Sequence, residues 1–199
     1  MKTQLRNSSL LLVLLVGFIL SSCVLLSAET RRKIENVPGA YVFTEGVTAY
    51  PDQYEAATVH LEAHEYAEAE AIFQGLIDLE PDNVNGYIGL GTSLSLGGKL
   101  DAAVDAYSAA LRTMPDSDDA LVGLGSTYSM MGEYSKAEDY YTLALVKDFQ
   151  NPNAHWGLAV VLDLQGQRAE AIEHLEWIIE NAPDSSAAEF AKDILNQLR

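Results

Sequence analysis

An all-α solenoid of stacked helix pairs is the fold class this chain predicts, and three observations predict it. Alanine returns every 34 residues, at Ala69, Ala103, Ala137 and Ala171. Five residues before it stand Gly98, Gly132 and Gly166, with His64 in the first unit, and twelve after it stand Pro81, Pro115 and Pro183, with Phe149 as the exception. No stretch shows the period-two alternation of a strand. A fixed period of this length marks a repeat in which each unit is one helix pair that buries its apolar face against its neighbours.

The chain opens with Lys2 and Arg6 and no acid as far as Ser9; an apolar run, Leu10 to Leu20, broken only by Gly17, then leads to Ser21-Ser22-Cys23. Basic, apolar and small residues in that order read as a secretory signal over residues 1–22. Cys23 is the single cysteine, so it has no internal disulfide partner, and lipidation explains its position better than redox chemistry. Competing readings are an uncleaved anchor, an ordinary cleaved signal that releases the protein, and a buried core helix. For the anchor, the 17 residues from Leu10 to Leu26 give a helix slightly shorter than the ~30 Å hydrocarbon core. For the core helix, nothing in the chain supplies a partner face.

Residues 23–49 lack a useful helical period. Ser27 to Asn36 read as a tether, while Tyr41, Val42, Phe43 and Val47 suit a segment that caps the first helix pair. Fully extended, the tether reaches at most roughly 90 Å.

Four helix pairs are expected over 50–185, in units 50–83, 84–117, 118–151 and 152–185, followed by a capping helix over 186–199. Each recurring residue has a physical task. Gly91, Gly125, Ala103 and Ala137 let helix backbones approach, and Tyr107, Tyr128 and Tyr141 fill the wedge between pairs. Gly98, Gly132 and Gly166 suit the left-handed conformation that ends a helix. Pro-Asp at 81, 115 and 183 is expected to stop one helix and supply an acceptor that caps the next. Gln53, Ala57, His60 and His64 make the first unit more polar, as a terminal unit requires. Phe149, with proline delayed to Pro152, indicates a remodelled turn. Phe190, Ile194, Leu195 and Leu198 share one face of the last helix.

These columns, with the pairs Leu90-Gly91, Leu124-Gly125 and Leu158-Ala159 and the large residues Phe73, Tyr107, Tyr141 and Leu175, resemble the tetratricopeptide repeat family from about Tyr50 to Ser185. The resemblance implies a right-handed superhelix whose concave groove holds a peptide or protein partner, in an adaptor or scaffold. Leu20-Ser21-Ser22-Cys23 likewise resembles the lipobox of bacterial lipoproteins. That implies a lipid anchor at Cys23 in the cell envelope, and Val24 in place of aspartate favours the outer membrane, facing the periplasm, in a Gram-negative cell.

Aligned by the period, the expected groove floor is Tyr54, Ile88, Val122 and Trp156, with Asn85, Asp119 and Asn153 supplying hydrogen bonds to a ligand backbone. Gly89, Gly123 and Gly157 are expected to leave room for that backbone. The competing reading makes Ile88, Val122 and Trp156 core residues. A net charge of −17 argues against nucleic acid and against anionic lipid headgroups. It is compatible with a basic partner or with solubility alone.

Catalytic chemistry is not evident. His60 and His64 are four apart, with Glu65 beside them, but lack the glutamate directly after the first histidine that the zinc-protease motif requires, and His155 and His174 have no evident third ligand. No enzyme activity, cofactor, metal or small-molecule substrate is expected. The alternative to a groove-binding adaptor is a self-associating scaffold of an envelope complex.

Overall fold

The computed structural model describes residues 50–198. The segments read as signal and tether, with Cys23, lie outside the described residues. Helices α1 (Pro51–Glu62) and α2 (Tyr66–Leu79) form the first pair, α3 (Val84–Leu96) and α4 (Leu100–Thr113) the second. The third pair is α5 (Asp118–Met131) and α6 (Tyr134–Lys147), the fourth α7 (Pro152–Leu164) and α8 (Arg168–Asn181), and α9 (Ser186–Leu198) closes the array. Each helix packs on the next, and α3 with α5, α5 with α7 and α7 with α9 also touch. The described residues therefore form an all-α solenoid with a C-terminal helix.

The turn inside each pair is built the same way. Gly98, Gly132 and Gly166 have φ of 78°, 79° and 86°. In each turn the next residue's N–H reaches the carbonyl five residues back: Lys99 to Leu94, Glu133 to Tyr128 and Gln167 to Leu162, at 2.8, 2.9 and 2.8 Å. That closure satisfies carbonyls a helix end leaves open. His64 adopts the same conformation, with φ 61°, and Glu65 closes onto His60 at 2.9 Å.

The turns between pairs correct one expectation. The aspartate after each proline does not cap the following helix; the caps are Asn83, Ser117, Asn151 and Ser185, themselves 34 residues apart. Asn83 accepts from the N–H of Asn85 at 3.1 Å, and Ser117 from Ala120 at 3.3 Å. Asn151 accepts from Asn153 and Ala154 at 2.9 and 3.1 Å, and Ser185 from Ala188 at 3.2 Å. The proline bends the chain, and the residue two positions later has the extended backbone an N-cap requires.

The core follows the period. Ala69, Ala103, Ala137 and Ala171 are all fully buried, as are Phe73, Tyr107, Tyr141 and Leu175 to within a few per cent. Burying side chains of that size stabilises the fold by about 1.5–3 kcal/mol each. Ala120, Ala154 and Ala188 form another buried column. Gly86 completes that series, and a β-carbon added to it would sit 3.0 Å from Ile77. These small residues bring the first turn of one pair against the second helix of the preceding pair. At the C-terminus Ala187, Ala191, Ile194 and Leu195 cover the open end of the last pair while Lys192, Asp193 and Asn196 face solvent.

Candidate functional site

The first helices of the pairs are enclosed more completely than the expected groove floor requires. Tyr54, Ile88 and Trp156 are 2–3 % exposed and belong to the core, so they offer almost no surface to a ligand. Trp156 lies 6.1 Å, centroid to centroid, from Phe190 of the capping helix. Tyr54 meets Phe73 edge to face at 6.0 Å, and its burial, with a smaller contribution from Glu80, raises its hydroxyl pKa to about 12. Val122 alone among the four apolar residues remains partly exposed.

The three glycines explain the enclosure. A β-carbon at Gly89 would lie 2.2 Å from the Phe73 ring, one at Gly123 2.3 Å from Tyr107, and one at Gly157 2.2 Å from Tyr141. The space expected for a ligand backbone is thus filled by the preceding pair's aromatic ring. Two of the rings are held from their own pair too: Tyr107 and Tyr141 press on Gly91 and Gly125, where a β-carbon would come within 2.9 Å. The Tyr107 and Thr92 hydroxyls are 3.0 Å apart, and Tyr141, whose pKa is raised by burial, bonds Ser126.

What remains accessible is a polar line. Asn85, Asp119 and Asn153 recur at the second position of α3, α5 and α7, whose mutual contact sets them side by side. Asn85 and Asn153 are half-buried and Asp119 is exposed. Protein packed around Asp119 removes part of its hydration and, with the charge of Asp118, raises its pKa to about 6. Asn151 donates to Asp118 at 2.9 Å, linking the third and fourth pairs along this line. The arrangement offers amide and carboxylate acceptors with Val122 as an apolar contact.

A second cluster was not anticipated as a site. His155 of α7 stacks on Trp177 of α8 at 3.7 Å and 19°, and Phe149 meets Trp177 edge-on at 5.6 Å. His155 Nε2 faces the Phe149 carbonyl at 2.9 Å, so that nitrogen must donate. His155 Nδ1 is then the acceptor for His174 Nδ1–H, 2.8 Å away. Burial lowers the His155 pKa to about 4, outweighing the hydrogen bond to Phe149, and burial also lowers that of His174. The pair is neutral at pH 7 and ties the remodelled turn to α7 and α8. The signal in the sequence was that all four residues depart from their columns.

His60 and Glu65 pair at 2.6 Å, and among the described residues no group of three or more His, Cys, Asp or Glu is placed to hold a metal. No helix among them is long and apolar enough to cross a membrane.

Tetratricopeptide repeat profiles match residues 54–120, 94–153 and 153–185. Among solved structures the chain is similar to a thermophilic TPR protein of Thermus thermophilus, with TM-score 0.67 and 19 % identity over 99 % of this chain and 97 % of that one. It is similar to MamA, with TM-score 0.59 and 19 % identity over 80 % of this chain and 97 % of that one. It also resembles part of the APC/C hetero-tetramer Cut9–Hcn1, with TM-score 0.63 and 20 % identity over 67 % of this chain and 26 % of that one. A search of curated proteins gave no match. At these identities the likeness concerns the fold.

Proposed function

The chain belongs to the tetratricopeptide repeat family, and from that premise we propose that it is a protein-binding adaptor of a bacterial envelope, tethered by lipid at Cys23. Its partner segment is basic and lies along Asn85, Asp119, Val122 and Asn153. The observation that carries this reading is the polar line itself: the exposed Asp119 carboxylate stands in register with Asn85 and Asn153 beside the partly exposed Val122, an acid that a cation would pair. Asparagines on either side supply the acceptors and donors that hold an extended backbone. The overall charge of −17 would draw such a partner in by long-range steering.

Two experiments test the two halves. Affinity capture from native membranes compares the full-length chain with an Asp119→Lys, Val122→Glu variant whose helicity matches the parent. Loss of a co-purifying partner from the variant supports the groove; identical sets of proteins overturn it. Metabolic labelling with a radioactive fatty acid, comparing the parent with Cys23→Ser, tests the anchor, which predicts label in the parent alone.

A further inference from the structure

The junction between the third and fourth pairs carries residues that the repeat does not require. In the column of Phe149 the other pairs have Pro81, Pro115 and Pro183, and in that of Trp177 they have Gly75, Ala109 and Leu143. His155 replaces Tyr87 and Leu121, and His174 replaces Ile72, Ala106 and Tyr140. Though scattered over the sequence from Phe149 to Trp177, these four departures converge on one aromatic stack. Packing accounts for His155, which is 1 % exposed, but not for Phe149, which leaves 62 % of its surface in water. Exposed aromatic side chains are enriched where proteins meet partners.

Trp177 also lines a cavity of about 400 Å³ with Gln150, Pro152, Asn181, Asp184 and Ser185. That is within the roughly 300–1,000 Å³ of small-ligand sites. Its polar side chains are the amides of Gln150 and Asn181, the Ser185 hydroxyl and the Asp184 carboxylate, the one charged group among them. Asn181 Nδ2 donates to the Trp177 carbonyl at 2.9 Å, leaving Oδ1 available. Ser185 Oγ is spent between the Ala182 carbonyl, at 2.6 Å, and the Ala188 N–H. Asp184 is exposed, and no basic side chain among the described residues lines the cavity.

We propose that this cavity is a second docking site, which takes an arginine side chain from a protein partner, its guanidinium against Trp177 and its charge toward Asp184. Arginine fits because its planar cation stacks on an indole face and forks onto a carboxylate, with the aliphatic stem covering apolar wall. The single carboxylate of Asp184, with no basic side chain beside it in the lining, and the chain's −17 charge favour a cation. The site uses none of the residues of the polar line along α3, α5 and α7, and it stands or falls separately from the groove.

The test is a titration of the full-length chain in detergent with acetyl-Leu-Arg-Leu-amide, followed by the two tryptophan indole N–H resonances. A Trp177→Phe variant assigns them. The expected result is a saturable shift at Trp177 with Trp156 unmoved, and affinity about tenfold or more weaker for acetyl-Leu-Gln-Leu-amide and for Asp184→Asn. Val122→Glu should leave the response intact. No shift, an equal shift with the glutamine peptide, indifference to Asp184→Asn, or loss of the response in Val122→Glu would each overturn the proposal.

Discussion

The ring of Tyr141 on α6 occupies the place a side chain at Gly157 of α7 would need: a β-carbon there would lie 2.2 Å from it. The third pair thereby locks into the fourth, with Gly125 on the ring's other side. Because Tyr141 is fully enclosed, it cannot swing aside cheaply. Gly157→Ala should therefore cost about 1–3 kcal/mol despite alanine's better helix propensity. The matched control is Gly75→Ala, where nothing lies within 4 Å of the new atom, and which should stabilise by about 0.5–1 kcal/mol. Thermal melts of the two variants should move in opposite directions.

That lock also explains which parts of the molecule are legible in the sequence. The alanine column and the left-handed glycines can be read directly because each task admits few residue types. The caps Asn83, Ser117, Asn151 and Ser185 follow the same period but lie beside a more conspicuous proline. The groove floor does not include Ile88 and Trp156 because α3, α5 and α7 are gripped on several sides; they bury small, apolar and hydroxyl residues nearly all round, which leaves no stripe to distinguish an inner face. Gly89, Gly123 and Gly157 look like space in the sequence because the rings that fill them come from the preceding pair. The aromatic junction is written as four departures from the period, but their convergence depends on how α8 lies over α7.

Ser129 supplies a second test of packing. Its hydroxyl is fully buried and has no hydrogen-bond partner among the described residues. One repeat earlier, Ser95 stands 3.4 Å from Thr127, and the residue corresponding to that threonine for Ser129 is the apolar Val161. A buried hydroxyl left unpaired is costly, so Ser129→Ala should raise stability by about 1 kcal/mol. Val161→Thr should do so by a smaller amount, since it restores a partner but adds a hydroxyl. Chemical denaturation with unchanged slope is the measurement.

The histidine pair makes stability depend on pH. His155 has its pKa lowered from 6.5 to about 4 in the folded chain, and burial lowers His174 as well, while Asp148, Glu170 and Glu173 pull the other way. Between those values the unfolded chain binds more protons, so stability is retained above pH 6.5 and lost as pH falls toward 4. The loss from His155 is on the order of 2–3 kcal/mol. Asp119 acts oppositely: its raised pKa means the native chain holds the extra proton between 3.8 and about 6, which favours the fold as pH falls. His155→Phe should thus flatten the acid side of the stability profile, and Asp119→Asn should steepen it. Melting temperatures measured from pH 7 to pH 4 would distinguish these slopes.

The turn of the first pair shows what the period tolerates. His64 is the one described residue other than glycine with positive φ, at 61°, and it stands where the later pairs have Gly98, Gly132 and Gly166. A side chain in this conformation costs about 1–2 kcal/mol relative to glycine. Against that, His64 Nδ1 bonds the Tyr66 hydroxyl at 2.9 Å on an exposed surface, a contact of modest value. Glycine also loses more chain entropy on folding, which removes part of the gain. The balance favours His64→Gly by about 0.5 kcal/mol. In the third pair Tyr134 is aligned with Tyr66, so Gly132→His can form the same contact. Gly132→His should cost about 1 kcal/mol, and more when combined with Tyr134→Phe than the two changes cost separately. That excess would show that the tyrosine hydroxyl compensates the strained turn of the first pair. Strict additivity of the two changes would mean that His64 is tolerated for its backbone alone.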